Sequence, residues 1–357
     1  MRIFGTILTI GTLLAGAALA PAPSAAMEKR EFAVVGTWGQ LAHWRERESV
    51  FWNQTLPEAS GGALTANAKP LTELGLDGFK VMREVKAGAF DFAHGVFLYI
   101  AGDSPVFEGA DLAGMVPDLK TSRAVMEAYK PVLNKEFEQK YNSRILMLYA
   151  WPRSYLYCKL PADTPAAIDL KPLAGLKIRS YGASLADFIG NTLEATPVPV
   201  AFGEVLQSLQ KGVIDCGVSG TTSAYDAKWW QVATHEVRIP VGYTASFLAV
   251  NNDVWNSLDP DAQALLTSQI AKLEDEMWEA TARDDQRGMA CNTSGPCETT
   301  IGGEKAVTLT PEGQAAMKEA VEQDVIQKWA DRCEARNSSC VEDWNATVGK
   351  LLGYHVQ

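Results

Sequence analysis

The stretch Leu173-Ala174-Gly175-Leu176-Lys177-Ile178-Arg179-Ser180-Tyr181 decides the architecture, with its continuations Thr196-Pro197-Val198-Pro199-Val200-Ala201-Phe202-Gly203-Glu204-Val205 and Gly212-Val213-Ile214-Asp215-Cys216-Gly217. Short apolar runs alternate here with helical periodicity, which reads as strand, helix, strand, helix, strand in a parallel sheet. Arg179 falls at the C-terminal end of the first strand, and open α/β sheets bind ligands outside such ends. The pattern has an earlier copy. Val81-Met82-Arg83-Glu84-Val85-Lys86-Ala87-Gly88-Ala89-Phe90-Asp91 aligns with Val205-Leu206-Gln207-Ser208-Leu209-Gln210-Lys211-Gly212-Val213-Ile214-Asp215 at one offset (205 − 81 = 215 − 91 = 124). Both copies place apolar residues at i, i+1 and i+4, end the helix with a glycine suited to a left-handed cap, and run into a short strand. Helix–glycine–strand units recur in any α/β protein. The matched aspartate and the constant offset favour two similar lobes with a cleft between them.

Composition narrows the function. The 357 residues suffice for one large or two medium domains, and 47% hydrophobic content is that of a globular protein. The formal charge is 32 − 43 = −11, which argues against a nucleic-acid partner. An acidic surface also repels anions at long range, so an anion site must rest on local cations and backbone N–H groups.

Arg2, the uncharged run Ile3 to Ala20 and the small residues Ser24-Ala25-Ala26 read as an export signal cleaved near Ala26. The competing reading is an uncleaved anchor. Six cysteines fit an oxidising compartment. Cys291/Cys297 and Cys333/Cys340 are expected to pair locally. Cys158 and Cys216 fall in strands, as a third bridge or as two buried thiols.

Along the chain, strands are expected at Phe32 to Trp38, Ala63 to Ala68, Phe90 to Phe97, Ile145 to Tyr149 and Tyr155 to Cys158. Helices are expected at Trp44 to Glu58, at Arg123 to Lys140 and across Tyr225 to Val232. Asp259-Pro260 and Thr310-Pro311 each supply a cap and a first-turn proline, the former opening a long helix to about Arg287. The lobes are crossed near Ala150 to Tyr157 and again near His235 to Gly242, without a low-complexity linker, which favours hinge motion.

At Gly175-Leu176-Lys177-Ile178-Arg179, Pro197 to Val205 and Leu209 to Asp215 the sequence resembles a known family. It looks like the solute-binding proteins of TRAP (tripartite ATP-independent periplasmic) transporters, of the dicarboxylate-binding DctP type. The likeness runs from about Phe32 to Ala280 and includes Ser60-Gly61-Gly62, Leu74-Gly75 and Lys86 to Asp91. Each motif alone is weak, and their order and spacing are what is specific. The resemblance implies a periplasmic-binding-protein-like α/β fold, two similar lobes hinged together with C-terminal helices. Residues 1–26 would be the signal peptide, 27–150 and 240–280 lobe I, and 151–239 lobe II. Residues 281–357 would form helices with disulfide-bearing loops packed on the lobes. It further implies a periplasmic, monomeric receptor, not an enzyme, that binds a small organic acid without cofactor or metal and delivers it to the membrane subunits of the transporter.

In that family the arginine of the G-L-K-x-R motif pairs with the ligand carboxylate, which carries over to Arg179. A second arginine on the preceding crossing strand matches Arg153, and a pocket aromatic matches Phe202. The family continues after the aspartate with G-x-E-N-P, whereas here Ser219 stands at the asparagine position, which leaves the ligand class open. From the residues themselves, Trp38, Trp151 and Tyr155 lie near predicted strand ends or lobe junctions, as pocket walls or as hinge packing. A guanidinium suits the task because its planar fork matches a carboxylate with two parallel hydrogen bonds. Trp229-Trp230 reads as core. His43, His94, His235 and His355 show no metal-ligand spacing, and no H-E-x-x-H, G-x-S-x-G, P-loop or G-x-G-x-x-G occurs. A periplasmic hydrolase and a ligand-sensing partner of a membrane receptor are the competing functions. A hydrolase needs a nucleophile with a base beside it, and no such cluster stands out.

Overall fold

The computed structural model describes residues 27–356, so the export signal expected at 1–26 lies outside the described residues. In chain order the strands are β1 (Arg30–Gly36), β2 (Leu64–Pro70), β3 (Phe92–Val96), β4 (Ser143–Ala150), β5 (Ser154–Cys158) and β6 (Ala167–Ile168). They continue with β7 (Lys177–Ser180), β8 (Thr196–Pro199), β9 (Cys216–Gly220), β10 (His235–Gly242), β11 (Ala245–Asn251) and β12 (Lys305–Leu309). They form two sheets, ordered β2-β1-β3-β11-β4 and β6-β12-β10-β5-β9-β7-β8.

The two sheets repeat one plan. In the first, β2, β1 and β3 run parallel, β11 lies antiparallel beside β3, and β4 lies antiparallel beside β11. In the second, β8, β7 and β9 run parallel, with β5 antiparallel beside β9 and β10 beside β5. The sequence repeat is the seed of this plan. The helices Val81–Lys86 and Val205–Gln210 both run out into glycines of positive φ, Gly88 at 78° and Gly212 at 68°, a conformation that a Cβ would penalise. Each aspartate at the end of the repeat then clasps the neighbouring parallel strand with two hydrogen bonds. Asp91 donates its N–H to the Ala33 carbonyl at 2.8 Å and its carboxylate accepts the Ala33 N–H at 2.8 Å. Asp215 does the same to Lys177, at 2.7 Å and 2.8 Å. The matched aspartates therefore set the register of the parallel pairs, which is why they recur at one spacing.

The chain crosses between sheets at residues 151–153, from β4 to β5, and at residues 243–244, from β10 to β11. The crossings are tied together, the Trp151 N–H donating to the Tyr243 carbonyl at 2.8 Å. Beside them the buried Asp111 carboxylate accepts the Ala245 N–H at 2.9 Å.

The helix Pro260–Asn292, capped by the Asp259 carboxylate on the Ala262 N–H, is about 50 Å long at 1.5 Å per residue and bridges both lobes. Trp278 Nε1 and Thr281 Oγ1 donate to the Leu148 and Ala150 carbonyls of β4. Further on, Asn292 Nδ2 donates to the Thr221 carbonyl, beyond β9. The helix outruns its expected end at Arg287 because Gly288 is a contact point and not a stop. A Cβ there would lie 2.3 Å from the Thr222 nitrogen.

The region 281–357, expected as helices and loops, also supplies β12, which pairs with β10 and β6. Its helices dock through Trp329 Nε1 and Trp344 Nε1 on the Pro105 and Gly109 carbonyls. The helix expected across Tyr225 to Val232 stops at Asp226, because Lys228 turns left-handed at φ 60°. Trp229 is nevertheless core. Cys291–Cys297 and Cys333–Cys340 are disulfides, as is Cys158–Cys216, whose members face each other across β5 and β9.

Candidate functional site

The C-terminal ends of β1, β3, β7 and β9 converge with the two crossings on one cleft of about 330 Å³, mouth included. Its lining comprises Trp38 and Leu41 after β1, Val96 and Tyr99 from the end of β3 and the helix Phe97–Ile100, and Arg179 and Tyr181 from β7 and the residue just beyond it. Phe202, Ser219, Gly220, Ser223, Trp151 and Thr244 complete it. Both lobes therefore contribute, each through strand ends, as open α/β sheets place ligands.

Arg179 is the one charged side chain in this lining and is 1% exposed. Its Nε donates to the Val200 carbonyl at 2.9 Å and Nη1 to the Val218 carbonyl at 2.6 Å. Nη2 donates to the Tyr99 hydroxyl, on the opposite lobe, at 2.8 Å. A guanidinium has five N–H donors. Three are thus held by the chain, and one remains on each terminal nitrogen. The Tyr181 ring lies 4.3 Å from the guanidinium carbon, and the Phe202 and Trp229 rings lie 5.7 and 5.9 Å away. These faces favour a cation where water is scarce.

The remaining walls are aromatic. The Trp38 ring centroid lies 5.6 Å from Tyr99, 6.0 Å from Trp151 and 5.4 Å from Phe202, and Tyr99 stacks on Tyr181 at 5.7 Å. Trp151 is fixed from behind, where its ring stacks on His43 at 3.9 Å and Nε1 donates to Ser246 Oγ at 2.8 Å. Trp38 is held through its neighbour Thr37, whose N–H and hydroxyl both donate to Glu48, at 2.8 and 2.9 Å. Burial shapes the titration of this supporting layer. It raises the Glu48 carboxyl to about 7, and it lowers His94 to about 3. His43 is likewise lowered to about 3, by burial and the Arg47 charge. His94 accepts the Trp52 Nε1 hydrogen at 3.1 Å and His43 backs Trp151, so both imidazoles serve packing. Among the described residues no group of three or more His, Cys, Asp or Glu is arranged to hold a metal ion.

Of the site residues expected from sequence, Arg179, Phe202, Ser219, Trp38 and Trp151 share this cleft. Arg153 and Tyr155 do not. They line a different cavity with Met115, Arg238 and Met317. The Arg153 N–H is pinned by Asp285 Oδ1 at 3.1 Å, and its guanidinium donates to the Pro117 carbonyl and the Tyr243 hydroxyl. Tyr155, two residues on, shares its side of the chain.

Sequence reasoning missed Tyr99, Tyr181, Ser223 and Thr244. The repeat held a signal for two of them, since Tyr99 and Ser223 stand at equivalent positions (223 − 99 = 124). The period of two from Arg179 at the strand end pointed to Tyr181.

The family follows from the match of the chain as a whole. Residues 37–332 match the model of the DctP family, described as bacterial extracellular solute-binding protein, family 7. The chain belongs to this family. Among relatives of this solute-binding protein, the C4-dicarboxylate-binding periplasmic protein DctP of Rhodobacter capsulatus is 27% identical, over 66% of this chain and 67% of that protein. The 2,3-diketo-L-gulonate-binding periplasmic protein YiaO of Escherichia coli K12 is 24% identical, over 66% and 70%. Solved structures of low identity share the two-lobed α/β fold of TRAP periplasmic solute-binding proteins. One from Desulfovibrio salexigens with bound orotic acid superposes with a TM-score of 0.78 at 16% identity, over 90% of this chain and all of the other. The Bordetella pertussis receptor DctP7, which binds pyroglutamic acid, gives 0.77 at 18%, over 88% and 99%. The family is one of receptors and not of enzymes. No helix of the described residues is long and apolar enough to cross a membrane.

Proposed function

We propose that this solute-binding protein captures a small organic carboxylate between its lobes and presents it to the membrane subunits of a TRAP transporter. One observation carries the reading: a buried guanidinium at a strand end, pinned by three hydrogen bonds, with a donor left on each terminal nitrogen. That arrangement is preorganised for a bidentate carboxylate, and burial strengthens the contact relative to water. The relatives named above bind acids, which supports a carboxylate here. Arg179, Trp38, Trp151, Phe202 and Ser219, joined by Tyr99 and Tyr181, form the proposed contact set.

Binding and closure are coupled in this reading. Arg179 belongs to one lobe and Tyr99 to the other, so a ligand that engages both favours the closed form by its differential affinity. At the rim, Asp226 of lobe II accepts the Ala42 N–H of lobe I at 3.0 Å and lies 3.6 Å from Arg45. Thermal-shift screening against a library of organic acids tests the proposal, since a ligand that binds only the folded state raises apparent stability. The expected result is a set of stabilising acids recovered chemically unchanged after incubation. A library without a stabilising acid, or an acid consumed in the incubation, would overturn it.

A further inference from the structure

The walls of the cleft say more about the ligand than that it carries a carboxylate. Resting on the function proposed above, we infer that the ligand is an aryl or heteroaryl monocarboxylate: one anionic group on a flat, apolar ring.

The first argument is charge. Arg179 is the one cation in the lining, and no carboxylate or imidazole joins it. A second carboxylate drawn into this cleft would lose its hydration without a partner, and an unpaired buried ion is strongly disfavoured. The second arginine expected in the site, Arg153, opens on another cavity. Arg45 and Arg47 face a separate groove among Glu46, Asp226 and Asp284, where acids already answer them. The cleft is matched to a monoanion.

The second argument is shape. Trp38, Tyr99, Trp151, Tyr181 and Phe202 contribute five rings to the lining that Arg179 shares, with Trp38 within 6.0 Å of three of them. Rings at such spacings offer faces and edges for offset-stacked and edge-on partners, which a flat ring satisfies and a flexible aliphatic chain does not. His43 behind Trp151 and Glu48 behind Thr37 hold two of these walls in place. Ser219 and Ser223 add hydroxyls for one polar substituent or ring nitrogen.

The test is isothermal titration of the mature full-length protein with benzoate, nicotinate and phenylacetate, against succinate, L-malate and the non-planar cyclohexanecarboxylate. Tryptophan fluorescence is followed in parallel. The expected result is that at least one aryl acid binds about tenfold or more tighter than succinate and cyclohexanecarboxylate and perturbs the fluorescence. Trp38→Ala should remove that preference for the ring, whereas Arg179→Met should weaken binding of every acid by about thirty-fold or more. Succinate or malate binding as tightly as the aryl acids, in an Arg179-dependent way, would overturn the aryl inference and leave the carboxylate receptor standing. If none of these acids binds and the wider library yields no stabilising acid either, both readings fall. Equal affinity for benzoate and cyclohexanecarboxylate would refute the argument from ring shape.

Discussion

Replacing Arg179 separates what its charge does from what its fork does. Arg179→Lys keeps one positive charge at the strand end but offers three donors from one nitrogen, where arginine offers five in a plane. In the wild type three donors are committed to Val200, Val218 and Tyr99. A lysine that served these acceptors would have none left for a ligand, and one that served the ligand would leave buried carbonyls bare. Each unpaired buried carbonyl costs about 1–3 kcal/mol, so the two carbonyls put the stability loss at about 2–6 kcal/mol for Arg179→Met, with less for lysine. Ligand binding should weaken by about 2–5 kcal/mol for methionine, since a carboxylate would lose its desolvated partner. That corresponds to roughly thirty-fold to several thousand-fold in Kd. Lysine should fall at the lower end of that range. Urea unfolding gives the first quantity. Calorimetric titration with the acid that most stabilises the wild type, at a temperature where both variants are folded, gives the second. If both variants bind within about threefold of wild type, the guanidinium does not hold the ligand and the reasoning fails.

Four further outcomes are expected. Asp226→Ala removes the acceptor of the Ala42 N–H and the partner of Arg45 at the rim. It should weaken closure by about 1–2 kcal/mol, seen as a five- to thirty-fold loss of affinity and a more open ligand-free form in small-angle scattering; unchanged affinity and scattering would disprove the latch. Gly288→Ala places a Cβ 2.3 Å from backbone, and should lower Tm by well over the few degrees that correspond to about 1 kcal/mol, an idea abandoned if Tm is unchanged. Cys158→Ser with Cys216→Ser opens a loop of 58 residues, worth about 4 kcal/mol on chain-entropy grounds, and urea unfolding should register it. Glu304 is raised from 4.5 to about 9 by burial and the charge of Glu236. The folded state therefore binds a proton the unfolded state has lost, so its contribution to stability falls as pH rises from 4.5 through about 9. Glu304→Gln, always neutral, should gain on wild type by about 2 kcal/mol or more near pH 8 and little near pH 4; an equal difference at both would count against it.

Much of the architecture was legible because it is written twice. The copies at Val81 to Asp91 and Val205 to Asp215 carry the helix, the glycine and the aspartate that builds each parallel register. Arg179 was expected in the cleft mainly because Gly175 to Arg179 resembles the family's G-L-K-x-R motif, since an isolated arginine more often pairs at the surface. What stayed hidden depended on partners far apart in sequence. No local pattern tells which side of a crossing a side chain takes, so Arg153 and Trp151, two residues apart, were expected together and open on different cavities. Thr244 lies on the return crossing, a stretch with no motif of its own. The long helix runs past its expected end near Arg287 to Asn292, and the tight approach of Gly288 to Thr222 is a contact that no local pattern announces.

The sheet order has a consequence for how the chain is born. In the first sheet β11 sits between β3 and β4 and is the one neighbour β4 has. A polypeptide emerging N-terminus first must therefore release just over seventy per cent of its length, through Asn251, before that layer can close. Until then β3 keeps one unpaired edge and β4 keeps both.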